Sequence, residues 1–338
     1  MEKEKVERIN ISFIIPVYNR PKEVDELLES MVRQTEQGFE VVIIEDGSGV
    51  SCEGICEKYE NQLNLKYFFK NNSGPGLSRN YGSERASGDY LIFLDSDCIL
   101  PPDYFKIVHQ TLKEHYIDAF GGPDNAHADF SVLQKAINYS MTSFLTTGGI
   151  RGVNERLEKF HPRSFNMGYS KDVFQKTNGF SSMRFGEDID MSIRIIECGF
   201  KTRLIKEAFV YHKRRTSFKQ FFKQVFNSGI ARINLYKRHP QSLKMVHAAP
   251  ALFTIGCIAL VFLSIFCSVL FLIPIGIHVL LLFIDSSIKN KSLLIGSVSV
   301  ITSYIQLFGY GTGFISAVWK RLILNKKEFA AYTETFYD

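Results

Sequence analysis

The sequence predicts an α/β domain built on a doubly wound sheet, followed by apolar helices that enter a membrane. Three observations lead there. Short apolar runs alternate with helical patterns in the first half of the chain, as they do in successive β-α-β units. One run, Tyr90-Leu-Ile-Phe-Leu, is apolar at every position and stops at Asp95-Ser96-Asp97, the pattern of a strand buried on both faces of a parallel sheet. From Ala248 the composition shifts. Ala248–Ile284 and Leu293–Trp319 hold no Asp, Glu, Lys or Arg, and a hydrocarbon crossing needs about 20 apolar residues.

The elements follow in order. Met1–Asn10 is charged and leads straight into a strand. No amino-terminal signal peptide is therefore expected, and the first domain should stay in the cytoplasm. Ile11–Tyr18 reads as that strand, and Pro21 opens a helix whose apolar face is Val24, Leu27, Leu28 and Met31. Phe39–Ile44 is a second strand and Leu65–Phe69 a third. Gly74-Pro75-Gly76 reads as a turn, since it lacks the third glycine of a dinucleotide fingerprint. A helix then runs from Leu77 through Arg85, and Gly88 closes it before the Asp95 strand. Ala208–Tyr211 is a late strand ending at His212. Ser217–Tyr236 is amphipathic, with Phe218, Phe221, Phe222, Val225, Phe226, Ile230 and Ile233 in one stripe and basic flanks. That pattern fits a core helix or one lying on a membrane surface, and the apolar runs behind it favour the membrane.

The apolar part is long enough for three passes, the first two broken near Ser268 or Pro274. Charge argues otherwise. Lys237, Arg238 and Lys244 favour a cytoplasmic start, and Lys320, Arg321, Lys326 and Lys327 favour a cytoplasmic end, which needs an even number. The expected layout is 1–215 for the α/β domain, 216–247 for a membrane-interface region, and 248–338 for two or three transmembrane helices with a short basic tail.

The 338 residues suffice for such a domain and its anchor. The net charge of +5 comes partly from Lys213-Arg214-Arg215, Lys219 and Lys223, which is too local for a nucleic-acid surface. The six cysteines form no CxxC pair and read as reduced thiols.

Polar residues gather at the carboxyl ends of strands, where doubly wound sheets bind ligands. Asp95 and Asp97 are suited to a divalent cation completed by phosphate oxygens, or to a ribose hydroxyl. Asp46, in Glu45-Asp46-Gly47-Ser48, fits an acceptor for a base or ribose, or an Asx-turn. Glu187, Asp188 and Asp190 open a helix after Gly186; Asp188 suits a general base, and the group also complements a helix dipole. His212 is a candidate third metal ligand, with cations beyond it for diphosphate oxygens.

These residues, in this order, resemble the family 2 glycosyltransferases. The resemblance covers roughly residues 10–225 and rests on Pro16-Val17-Tyr18-Asn19, Glu45-Asp46-Gly47-Ser48, Gly76-Leu77-Ser78-Arg79-Asn80, Asp95-Ser96-Asp97 and Gly186-Glu187-Asp188. It implies a GT-A fold with a doubly wound mixed sheet. It implies that Asp46 contacts the nucleotide base, Arg79 faces the nucleotide, and Asp95 touches ribose or metal. Asp97 would bind Mg²⁺ or Mn²⁺, and Asp188 would be the base. Pro16, Tyr18, Asn19 and Glu187 would line the substrate site, and His212 would join the metal. Two departures stand out. Glu45 replaces the usual first Asp of its turn, and Gln224 is followed by Val-Phe-Asn-Ser rather than the QxxRW pattern of processive synthases. The implied activity is therefore transfer of one sugar, with inversion, from a nucleotide-diphosphate sugar, UDP-linked for preference. The acceptor would be a lipid-linked or cell-envelope glycan at the cytoplasmic membrane. The competing readings are a catalytically inactive, membrane-anchored sugar-nucleotide-binding protein and a nucleotidyltransferase.

Overall fold

The computed structural model describes residues 9–125, 130–147 and 160–331; the charged opening segment lies, through residue 8, outside them. It divides into two compact units, one of residues 9–125 and 160–212 and one of residues 130–147 and 213–331. The strands are β1 (Ile11–Val17), β2 (Glu40–Asp46), β3 (Asn64–Lys70), β4 (Tyr90–Leu94), β5 (Cys98–Ile99), β6 (Ala119–Gly121), β7 (Asp124–Asn125), β8 (Asn166–Ser170), β9 (Thr202–Leu204) and β10 (Val210–His212). The helices are α1 (Pro21–Val32), α2 (Glu53–Glu57), α3 (Pro75–Arg85), α4 (Tyr104–Glu114), α5 (Val132–Thr142), α6 (Phe144–Thr147), α7 (Lys171–Thr177), α8 (Glu187–Glu197), α9 (Phe218–Arg238), α10 (Ala249–Phe266), α11 (Ile273–Asn290) and α12 (Leu293–Ala317).

In the first unit seven strands form one sheet in the order β3-β2-β1-β4-β8-β6-β9. The four at the β3 end run parallel, and β8 enters antiparallel to both β4 and β6. The continuous apolar sequences of β1, β2 and β4 are explained by helices on both faces. Phe13, Ile15, Val41, Ile43 and Ile92 pack under α1 and α4. Ile14, Val42 and Ile44 pack under α3, and Phe93 joins the same cluster with residues of α7 and α8. The chain runs outward from β1 to β3 and then returns to the other side of β1 as β4, so strand order reverses between β1 and β4. Such a reversal opens a crevice at the carboxyl ends of the two strands. Here the β1–β4 ladder ends at Ile14 and Phe93, two residues before Pro16. A small sheet, β5-β10-β7, lies beyond it, with His212 opposite Cys98.

In the second unit α5, α9, α10 and α11 all pack on α12. The segment 130–147 belongs to this unit, although the sequence assigned everything through 215 to the α/β domain. Three helical stretches, Met245–Phe266, Val269–Asn290 and Leu293–Ile323, are long and apolar enough to cross a membrane. The break expected near Ser268 is present, with Ser268 capping a short turn before α11. Helix α9 starts where expected, its cap formed by Ser217 Oγ accepting from Gln220 N–H at 3.2 Å. Its apolar stripe is used inside the unit. Phe221 and Val225 are buried with Ile137 and Met141, and Ile230 and Ile233 with Phe314 and Ala317.

At the end of the sheet away from the crevice, Glu40 ties three segments together. It accepts from Ser12 Oγ at 2.5 Å and from Ser87 N–H and Oγ at 2.8 Å each, and pairs with Lys66 at 2.6 Å. Burial works against the ionised carboxyl, but these donors outweigh it and hold its pKa at about 2. A pKa depressed on folding stabilises the fold above the unfolded value, and that contribution is lost as pH falls through the folded one. The wild type should therefore be about 3 kcal/mol more stable than Glu40→Gln at neutral pH. The gap should close between about pH 4.5 and pH 2. Urea titration of both proteins across that range checks this; a gap independent of pH would refute it.

Candidate active site

The crevice at the β1–β4 reversal gathers the polar residues of six segments. Asn19 follows β1 in a left-handed conformation (φ 54°). Its backbone N–H donates to Ser48 Oγ at 2.9 Å, and its Oδ1 accepts from Gly49 and Val50 N–H at 2.7 and 3.0 Å. The β1 and β2 loops are thereby locked together. Glu45 anchors the same loop from below, accepting from Tyr67 Oη at 2.5 Å, Ser51 Oγ at 2.9 Å and Cys52 N–H at 3.0 Å. Burial opposes ionisation of Glu45, and these donors still bring its pKa below the ordinary value. A longer acid than the usual Asp thus has a structural use here: it reaches three partners. Pro16 is buried within β1, and Tyr18 stands half-buried just past its end.

Asp46 is fully buried. Its Oδ1 accepts from Ser73 N–H at 2.9 Å and its Oδ2 from Gly74 N–H at 2.8 Å, and Lys70 Nζ also donates to Oδ1. Both oxygens are engaged, so in this structure Asp46 shapes the turn before α3.

That turn delivers Arg79, whose side chain is 3% exposed. Its Nη2 donates to Asp95 Oδ1 at 2.7 Å and its Nη1 to Glu187 Oε1 at 3.1 Å. One guanidinium thus joins the end of β4 to the start of α8. Gly186, at φ 88°, turns the chain into α8 in a conformation that a side chain would strain. Burial pushes the Glu187 carboxyl up to about 7; Asp188 pushes the same way and Arg79 pulls against both. Asp188, one position on, accepts from Arg163 Nε at 2.7 Å and from Ile189 N–H at 2.8 Å.

Asp97 pairs with Arg20 through Oδ2, and its Oδ1 lies 3.1 Å from His212 Nε2. Asp95 Oδ2 is 3.8 Å from the same nitrogen. The β5–β10 pairing sets His212 there, and Phe165 stacks on its ring at 5.1 Å. Adjacent ligands of an octahedral ion bound at about 2.1 Å stand about 3 Å apart, so the His212–Asp97 spacing fits two such ligands. Ligand atoms of Asp97, Cys98 and His212 all lie within 4.8 Å of one another. Cys98 is a poor member of that group. Its Sγ donates to Phe165 O at 3.5 Å, and burial raises the thiol well above its ordinary value. The remaining donors are carboxylates, which suit Mg²⁺ or Mn²⁺, and an imidazole, which suits transition metals.

Asp95, Asp97 and His212 come together here, and Arg79, Glu187 and Asp188 are linked to them through the Arg79 bridge. Asn19 belongs to the wall and Asp46 to the support beneath. Sequence reasoning missed Arg20 and Arg163. Arg20 was legible as the cation beside Asn19 at a strand end. Arg163 carried no local signal, since it meets Asp188 only through the fold.

Residues 12–177 match the model for Glycosyl transferase family 2. An uncharacterized glycosyltransferase of Haemophilus influenzae is 28% identical over 226 residues, 61% of this chain and 70% of that protein. The poly(ribitol-phosphate) beta-N-acetylglucosaminyltransferase TarS of Staphylococcus aureus is 37% identical over 114 residues, 32% of this chain and 20% of that protein. An uncharacterized glycosyltransferase of Rickettsia felis is 36% identical over 115 residues, 34% and 19% respectively. The chain thus spans about a fifth of the length of the TarS and Rickettsia felis relatives. The mannosyltransferase PcManGT from Pyrobaculum calidifontis, solved with GDP-Man and Mn²⁺, is similar at a TM-score of 0.68 and 13% identity over 93% of this chain and 88% of that one. That likeness is one of fold, of GT-A type.

Removing Arg79 would leave two carboxylates without their shared counter-charge. Arg79→Ala should cost about 3–5 kcal/mol, with Glu187→Gln recovering part of it in the double variant. With Arg79 gone the Glu187 carboxyl must ionise uncompensated, so the loss should be larger above pH 7 than below. Thermal melts of the detergent-solubilised variants measure this. Additive effects of the two substitutions would show that the bridge is not a unit.

Proposed function

We propose that the chain is a family 2 glycosyltransferase, inverting and metal-dependent. It would move one sugar from a nucleotide-diphosphate sugar to an acceptor hydroxyl. The observation that carries this reading is the meeting of Asp95, Asp97 and His212 at the strand reversal, with Asp188 joined to them through Glu187 and Arg79. Asp97, His212 and Asp95 would hold Mg²⁺ or Mn²⁺. When bound, the ion supplies a Lewis acid that takes up charge on the departing diphosphate.

The chain's own groups do the rest. Asp188 accepts the proton of the acceptor hydroxyl at Oδ1 or Oδ2 as that oxygen attacks the anomeric carbon. Arg163 orients Asp188 by donating to its Oδ2. Arg79 fixes Asp95 relative to the start of α8, which sets the distance between donor and base. A single displacement inverts the anomeric centre. The loops locked by Asn19 form the wall on which a base would rest, supported from beneath by Asp46.

A UDP-sugar is the preferred donor in this reading. The TarS relative is named for N-acetylglucosaminyl transfer to poly(ribitol-phosphate), which supports a polyhydroxy acceptor such as a lipid-linked or cell-envelope glycan. The apolar helices support a membrane location, and the basic residues at 237, 238 and 244 favour a catalytic domain on the cytoplasmic side.

The test is the purified full chain in detergent against a panel of nucleotide sugars, with and without a lipid-linked acceptor. Release of nucleoside diphosphate is expected. Release of pyrophosphate would identify a nucleotidyltransferase, and binding without turnover would identify a sugar-nucleotide-binding protein. Asp188→Asn should lower turnover by about 10² or more with donor affinity kept. Asp97→Ala should abolish the response to added Mn²⁺. Full activity of Asp97→Ala at ordinary Mn²⁺ would remove the metal assignment, and loss of donor binding in Asp188→Asn would make Asp188 a binding residue.

A further inference from the structure

We propose that Arg20 makes the site discriminate between a bare divalent cation and one already joined to a diphosphate. This rests on the metal role read above for Asp95, Asp97 and His212, and adds to it a residue outside that set.

The two carboxylates are used alike. Asp97 Oδ1 lies 3.1 Å from His212 Nε2, and Asp95 Oδ2 lies 3.8 Å from the same nitrogen. The other oxygen of each is held by an arginine. Asp95 Oδ1 accepts from Arg79 Nη2 at 2.7 Å, and Asp97 Oδ2 accepts from Arg20 Nη1. Each acid therefore offers one oxygen on the side of the imidazole and gives the other to a guanidinium. Each negative charge already has a positive one beside it.

The two arginines differ in freedom. The Arg79 side chain is 3% exposed and is tied to Glu187 as well. The Arg20 side chain is 33% exposed, and among the described residues Asp97 is its one hydrogen-bond partner. Its backbone is anchored on both sides. Asn19 is locked to the loop after β2, and Arg20 O accepts from Val24 N–H at 3.1 Å in the first turn of α1. A guanidinium carries more donors than one carboxylate oxygen can use. Arg20 is thus a long arm on a fixed base, with its charge at a metal ligand and N–H groups to spare.

The electrostatics follow. By bond lengths alone, a cation held at Asp97 Oδ1 is within about 7 Å of Arg20 Nη1. At that separation the repulsion weakens binding of a bare divalent ion by about five- to tenfold even at the dielectric of water, and by more in a half-buried crevice. A diphosphate reverses the sign. Its negative charge offsets that of the ion, and the arginine fork matches phosphate oxygens through charge-assisted hydrogen bonds. The group that opposes the bare ion therefore favours the ion together with its diphosphate. Such a coupling is reciprocal, so the factor by which a nucleoside diphosphate tightens the ion is the factor by which the ion tightens the nucleoside diphosphate.

The experiment uses the full chain in detergent as wild type, Arg20→Gln and Arg20→Lys, with Asp97→Ala as the background for adventitious ions. Binding of Mn²⁺ without nucleotide is read from the electron paramagnetic resonance signal of the unbound ion. Binding of UDP, or of GDP if the donor panel selects it, is read by calorimetry with and without Mn²⁺. Arg20→Gln should bind bare Mn²⁺ about fivefold or more tightly than wild type. The gain in nucleotide affinity on adding Mn²⁺ should shrink in Arg20→Gln by a comparable factor. Arg20→Lys keeps the charge and should bind bare Mn²⁺ as wild type does. Arg20→Met takes the place of Arg20→Gln should that variant fold poorly. Bare Mn²⁺ bound no more tightly by the neutral variant, or Arg20→Lys behaving as the neutral variant does, overturns the proposal while leaving the metal assignment intact. Failure of the wild type to bind Mn²⁺ even with nucleotide present overturns both.

Discussion

The site depends on one buried guanidinium. Arg79 sits between Asp95 and Glu187, almost without solvent. Each carboxylate is costly to bury alone, and together they would repel. The guanidinium offsets both with two directed hydrogen bonds, which a lysine ammonium would not place in the same plane. The consequence is geometric as much as energetic. Asp95 stands at the end of β4 and Glu187 at the start of α8, segments far apart in the chain. Holding them on one rigid fork sets where Asp188 lies relative to Asp97 and His212. The Asp46 turn matters for the same reason, because it fixes the start of α3 and thereby the aim of Arg79.

Polar groups are managed differently in the helical unit. Several side-chain hydrogen bonds there join helices. Ser286 bonds Ser299 at 2.7 Å, Thr302 bonds Ala136 O at 3.0 Å and Tyr139 bonds Asp285 at 2.6 Å. The Ser, Thr and Gln content of α12, which weakens it as a simple lipid-facing span, is what lets other helices dock on it. Small residues at 229, 309 and 313 bring α9 close along the same helix.

The sequence alone determined the α/β class, the strand ends that carry chemistry and the apolar character of the carboxyl-terminal helices. These are local properties. An apolar run of five residues ending in Asp95-Ser96-Asp97 can hardly be other than a buried strand opening on a polar crevice, and Pro21, Gly186 and Ser217 mark helix starts by chemistry that does not depend on neighbours. The sequence was least informative where strands were short or polar. β6 and β8 complete the sheet although Asn166-Met-Gly-Tyr-Ser has no strand periodicity, because cross-strand pairing overrides weak propensity. Only the tertiary structure decided that Asp46 is spent on a turn, that Arg20 and Arg163 face the site carboxylates, and that residues 130–147 leave the α/β domain for the helical one. It also decided that the apolar stripe of α9 meets α12. Periodicity says that a helix has an apolar face; it carries no information on which surface that face finds, since lipid and a neighbouring helix satisfy it equally well.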